Sequence, residues 1–166
     1  LKPGIKIGYV MTDGAALPAA FSKTITTLKE KGLLDVTVTC GNAFGGDLEA
    51  VNFYTGIITA AEAAKCDLLV VGMGPGITGT GTMFGFTGVE QGYIIDGITT
   101  LGGLPVAVPR ISFADGRERH RGISHHTLTV LGRIAKTVSL LPLPVLEKQK
   151  MEYIMSQVRE HGIEKK

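Results

Sequence analysis

Residues 110–127, RISFADGRERHRGISHHT, hold four arginines and three of the chain's four histidines. A guanidinium stays charged at every working pH and its fork of donors matches phosphate or carboxylate. Imidazole exchanges protons near neutrality, so it serves as acid, base or metal ligand. The combination predicts a rim that holds an anion and moves a proton beside it. Arg110, Arg117 and Arg121 are the candidate anion ligands, with Ser112 as a further donor, and Arg110 leads because it directly follows an apolar run. Arg119 adds charge, and ion pairs to Asp115 and Glu118 on a solvated loop are the competing reading. His120, His125 and His126 are the candidates for proton transfer. Their H-x4-H-H spacing fits no metal signature, because adjacent helical residues point about 100° apart, and no metal is assigned. Ser124 is placed to cap a helix, which would put His125 and His126 in its positive first turn and keep them neutral.

A second stretch, residues 72–82, reads GMGPGITGTGT and contains GxGxxG at Gly74, Gly76 and Gly79. Glycines there let backbone amides approach an anion, and Thr78, Thr80 and Gly81 extend the cradle. No later strand ends in the acidic residue of a dinucleotide site, and no lysine makes it a Walker-type loop. A phosphate or carboxylate cradle therefore stands against a purely structural tight loop. Carboxylates come from Asp13 after the first strand, the candidate general base, and from Asp47 and Glu49, of which Asp47 is the candidate ligand contact. Aspartate beside glycine is also ordinary turn chemistry. Neither Cys40 nor Cys66 is flanked by bases that would activate a thiolate.

The elements that must position these residues follow from period and punctuation. Residues 5–11, 35–40, 67–72 and 104–109 are short apolar runs between turn residues and predict strands. Leu17, Ala20, Phe21, Thr24 and Leu28 recur at helical spacing, with Pro18 suited to a first turn and Gly32 to a cap. Helices are also predicted over 52–65 and 89–101, at Leu128, Leu131, Ile134 and Ala135, and over 151–158, with a possible edge strand at 137–141. Strands separated by crossover helices run parallel, so the prediction is a single α/β domain, Rossmann-like and three-layered, with a mostly parallel sheet. Its strand-to-helix loops would share one sheet edge, where open α/β folds bind ligands.

Composition limits the partners. Net charge is +2, too small for a global nucleic-acid footprint, and hydrophobic residues make up 44 %. No run approaches the roughly 18 apolar residues of a membrane helix. Two cysteines without a signal-like segment predict reduced thiols and a cytoplasmic protein. The apolar 151–158 face leaves a homodimer open, though it is equally a core-facing stripe. A start on Leu1 suggests a trimmed or truncated product.

Four blocks, MTDGAALP, GNAFGGDLEAVN, GPGITGTGT with GFTGVEQG, and RISFADGRERHRGISHHT, resemble the bacterial domain of unknown function 3866 family, from about Ile7 to Pro144. The resemblance implies no assigned activity. It does imply a longer protein with a further N-terminal segment, of which this chain would be the C-terminal part and with which it would associate. The functional expectation is an enzyme acting on a small anionic ligand, phosphate- or carboxylate-bearing with nucleotide-like ones among the candidates, at the carboxyl edge of the sheet. A non-catalytic binding or regulatory module is the alternative, and nucleic-acid binding a second one. The residues specify no cofactor.

Overall fold

The computed structural model describes residues 4–74 and 76–165. Leu1, Lys2 and Pro3, and Pro75 within the glycine-rich stretch, lie outside the described residues. The chain divides into two compact units, Leu1–Ile77 and Thr78–Lys166.

Unit 1 is the α/β, Rossmann-like, three-layer part. Strands β1 (Ile7–Thr12), β2 (Val36–Cys40), β3 (Leu48–Ala50) and β4 (Leu68–Met73) form a parallel sheet in the order β3-β2-β1-β4. Side chains alternate across β1, so Tyr9 and Met11 face one side and Val10 the other. The first face packs with Leu17, Ala19, Ile25 and Ala43, which places helix α1 (Lys23–Glu30) there. The second carries helix α2 (Phe53–Ile58), which continues as a wide turn through Thr59–Ala63. Gly56 of α2 sits so close to Cys40 Sγ and Val10 that a Cβ would collide. Ser22, rather than Pro18, caps α1 by accepting from Ile25 N, and Pro18 precedes a separate turn at Ala19–Phe21. Gly32 ends the helix at φ 64°, as its position predicts.

Strand β3 has no counterpart in the sequence reading, which makes 41–47 a loop ahead of a helix. Parallel neighbours ordinarily need a long crossover, yet here the chain returns along β2 through residues 41–47 alone. Buried Thr37 and Thr39 make this feasible: their hydroxyls accept from Asp47 N at 3.1 Å and Gly46 N at 3.2 Å. Gly46 lies against backbone, where a Cβ would stand 2.9 Å from Thr39 N and 3.0 Å from the carbonyls of Thr37 and Leu48.

Unit 2 is organised around helices. Helix α3 spans Glu90–Thr100, α4 spans His125–Thr129 with a wide turn over Val130–Ile134, and α5 spans Lys148–Glu160. Ile95, Ile123, Leu128, Leu131, Ile154 and Val158 form its core. The 151–158 stripe therefore faces inward, and its buried Ile154 and Val158 are not free for a homodimer contact.

Residues 104–109 are not a strand of the sheet, which corrects the sequence reading. They form one parallel bridge, Val106 with Leu140, held by Ala107 N to Leu140 O at 2.8 Å and Leu140 N to Pro105 O at 3.0 Å. Pro105 and Pro109 carry no N–H, so this run cannot donate at those positions. The expected strand at 137–141 is likewise reduced to that bridge. The arginine- and histidine-rich stretch is thus not presented by a sheet strand. It carries its own antiparallel ladder, β5 (Ile111–Ser112) with β6 (Gly122–Ile123).

Candidate functional site

The three clustered histidines meet at the start of α4. Ring centroids are 5.1 Å apart for His120 and His125, 5.4 Å for His120 and His126, and 4.1 Å for His125 and His126. Ser124, fully buried, caps α4 as the sequence predicts, accepting from His126 N at 3.4 Å. Its Oγ also lies 2.8 Å from His120 Nδ1. Arg119 Nε donates to His120 Nε2 at 3.4 Å. A guanidinium has only donors, so Nε2 must accept, and the His120 proton sits on Nδ1 and points to Ser124. Ser124 is then the acceptor of that bond and not a nucleophile primed by a base.

Burial and charge keep the cluster neutral. His126 falls to about 4 through loss of solvent first, then the neighbouring His125, His120, Arg119 and Arg110. His125 is lowered by burial and by Arg119 and Arg117. His120 is lowered by burial, Arg117 and Arg110, against a smaller upward pull from Asp115. His125 Nε2 is buried and, among the described residues, has no hydrogen-bond partner. A buried unpaired polar atom costs about 1–3 kcal/mol, and native structures hold few of them.

The arginines are held rather than loose. Asp115 accepts from Arg110 Nη2 at 2.9 Å and from Arg117 through Nε, Nη2 and the backbone N–H, each at 3.0 Å. The Arg117 contacts foremost, then Arg110, hold the Asp115 carboxyl well below the usual range. Two guanidiniums on one carboxylate leave this hub with a net positive charge. Arg121 instead stacks over Tyr153 at 5.5 Å. Ser112 Oγ accepts from Ala114 N at 3.2 Å and shapes the turn.

Two residues missed in the sequence build this region. Gln157 of α5 acts as a strand for β6: its Oε1 accepts from Ile123 N at 2.8 Å and its Nε2 donates to the carbonyls of Arg121 and Ile123. Gly122 makes that approach feasible at φ 65°, because a Cβ would collide with Gln157 Oε1 and stand 2.7 Å from the Tyr153 ring. Phe86 stacks on His126 at 4.2 Å and meets His125 edge-on. The only sequence signals were a polar residue flanking an apolar helical stripe and a pair of aromatics, Phe84 and Phe86, within the glycine-rich run.

The glycine-rich stretch does not run into a helix. Beyond Ile77 it folds back on itself, with Gly79 bridged to Phe86. Thr80 N donates to Gly85 O at 2.6 Å, Thr78 N to Thr87 Oγ1 at 3.1 Å, and Thr80 and Thr82 hydroxyls share a bond of 2.8 Å. The Thr78 and Thr80 donors expected to cradle an anion thus close a hairpin-like loop, whose Gly79 and Phe86 pairing lies beside the histidines. Gly81 remains exposed with open space around it. In unit 1, Gly74 makes room for Met11, and Gly76 is exposed at φ 107°.

The carboxylates of unit 1 serve the backbone. Asp13 follows β1 and receives Asn42 Nδ2 at 3.3 Å, bracing the β2 exit. Asp47 is not at the carboxyl end of β2: it accepts from Thr37 N and Thr37 Oγ1, both at 2.8 Å, and from Lys29 Nζ, near that strand's start. Burial alone would raise its pKa, but these bonds outweigh burial and lower it. Glu49 accepts from Gly45 N at 3.0 Å. Cys40 and Cys66 are free thiols, and burial, aided by Asp13, pushes Cys40 up to about 11, away from a thiolate. Among the described residues no group of three or more His, Cys, Asp or Glu is arranged to hold a metal ion. None of their helices is long and apolar enough to cross a membrane.

A parallel α/β sheet unit joined to a helical unit bearing an arginine-histidine cluster is the class these observations define. The whole chain, residues 1–166, matches the family model described as protein of unknown function (DUF3866), and the protein belongs to that family. No curated protein and no solved structure matches it significantly.

Proposed function

We propose that the protein is an enzyme acting on a small anionic ligand, with the machinery in unit 2. The buried, partnerless Nε2 of His125, held neutral among two further imidazoles, is the observation that supports this reading most. A neutral ring at pH 7 can take a proton from a hydroxyl or water, and no existing hydrogen bond of Nε2 has to break first. The Arg110–Asp115–Arg117 hub and Arg119 supply net positive charge for phosphate or carboxylate. His120 acts as a positioning residue through Ser124, and Phe86 shields His126 from water. The reading rests on unit 2 alone and gives Asp13 and Gly74 no part in the chemistry.

The test has two arms. Calorimetric titration of the full chain with inorganic phosphate, short phosphomonoesters and dicarboxylates should show saturable binding that weakens in Arg110→Ala and Arg117→Ala. Consumption of a panel of small phosphate and carboxylate esters, followed by NMR, should be lost in His125→Asn while binding persists. Failure to bind any of these anions would overturn the reading. Binding with no turnover, unaffected by replacing all three histidines, would instead identify a non-catalytic module. A steep fall of polynucleotide binding with salt would mark the nucleic-acid alternative.

A further inference from the structure

Away from the histidines, unit 2 contains a cavity of about 210 Å³ between the turn that continues α4, the segment around residues 137–143, and α5 with the residues after it. Leu131, Ala135, Val158 and Ile163 wall it, each less than a tenth exposed. Protein interiors hold few voids larger than a water molecule. This one is partly open to solvent, and its volume is comparable with the engineered apolar cavity of about 150 Å³ that takes up benzene.

Its polar lining is asymmetric. The Thr137 hydroxyl is committed, bonding Asp96 Oδ1 at 2.9 Å and Thr99 Oγ1 at 3.1 Å. Among the described residues, the half-buried Ser139 hydroxyl and the carboxylate of exposed Glu164 at the mouth, which also line the cavity, have no hydrogen-bond or ion-pair partner. An apolar wall with one open carboxylate and one open hydroxyl fits a molecule that is apolar at one end and positively charged at the other. We propose that this cavity binds a small amphipathic amine, its compact aliphatic or aromatic body against Leu131, Ala135, Val158 and Ile163 and its ammonium at Glu164 and Ser139. The site is separate from the histidine cluster and takes the opposite ligand charge.

Titrating the full chain with the n-alkylamines from ethylamine to octylamine, with matching alcohols and carboxylates, tests this by NMR chemical shift. Affinity should rise about three- to fourfold per added methylene until the body fills the cavity, then level off. Glu164→Gln should abolish the preference for amine over alcohol and leave the chain-length dependence. Ala135→Leu should fill the volume and remove binding; Ser139→Leu, nearer the surface, does the same where the first variant fails to fold. Absence of saturable binding by any amine, affinity independent of chain length, carboxylates binding as well as amines, or unchanged binding in the filled variants would each overturn the proposal.

Discussion

In unit 1 the carboxylates of Asp35, Asp47 and Asp67 each accept a backbone N–H at 2.7–2.8 Å, pinning the starts of β1 and β2. In unit 2 the residues 110–127 include an imidazole nitrogen with no partner, three rings kept from protonating, and two guanidiniums sharing one carboxylate. The first arrangement stabilises a fold and leaves little for a ligand. The second leaves a buried polar atom unsatisfied, which a fold selected for stability alone would replace. That contrast is the physical reason for placing the proposed chemistry in unit 2 although the parallel sheet, the usual platform for ligands, is in unit 1.

The contrast can be broken most forcefully at Gly122. Gly122→Ala forces a side chain into the left-handed region and against Gln157 and Tyr153, and should cost about 3 kcal/mol or more. Chemical denaturation measures the loss, and hydrogen exchange should localise it to β6 and α5. Gln157→Ala removes two bonds to Ile123 of β6 and one to the Arg121 carbonyl and leaves Ile123 N unpaired, an expected loss of about 2 kcal/mol by the same measurements.

Acid should separate the two units by their pH windows. The folded histidines of the cluster hold protons less tightly than unfolded ones, so between about pH 6.5 and 4 the unfolded chain binds more protons. Their contribution is therefore complete above about pH 7 and is lost as pH falls through that window. All four histidines of the chain lie in unit 2, whereas the lowered Asp47 of unit 1 contributes stability above about pH 4 that disappears only below it. Hydrogen exchange at pH 5 should show unit 2 loosened and unit 1 still protected, a loss on the order of 2 kcal/mol. Equal loosening of both would remove the contrast. The smallest effect is expected for Asp47→Ala, about 1–1.5 kcal/mol, since the carboxylate is partly exposed but serves the Thr37 backbone. Increased exchange confined to β2 and β3 would identify it as a structural clasp, and weakened anion binding would restore it to a site.

Legibility followed the range of the forces involved. The three main strands of the sheet, helices α2 and α3, the Ser124 cap and the Gly32 terminus were readable because each is dictated by neighbours within a few residues. Strand β3 was not, since its existence depends on the Thr37 and Thr39 hydroxyls capturing a returning chain. Residues 104–109 look like a buried strand in composition, but their pairing is set by a partner more than thirty residues away and limited by two prolines. At the site, residue types announced an arginine-histidine cluster. Which arginines share Asp115, which histidine nitrogen is left bare, and that Gln157 and Phe86 belong there were decided by contacts between distant segments.

The chain by itself therefore determined what local periodicity and charge can encode: a parallel α/β sheet, helix ends, and the concentration of cationic and titrating groups in residues 110–127. Tertiary structure alone decided the hydrogen-bond partners and the burial that turn those groups into a neutral imidazole cluster beside a positive hub, because desolvation and pairing arise only once α5 and the 78–89 loop close around them.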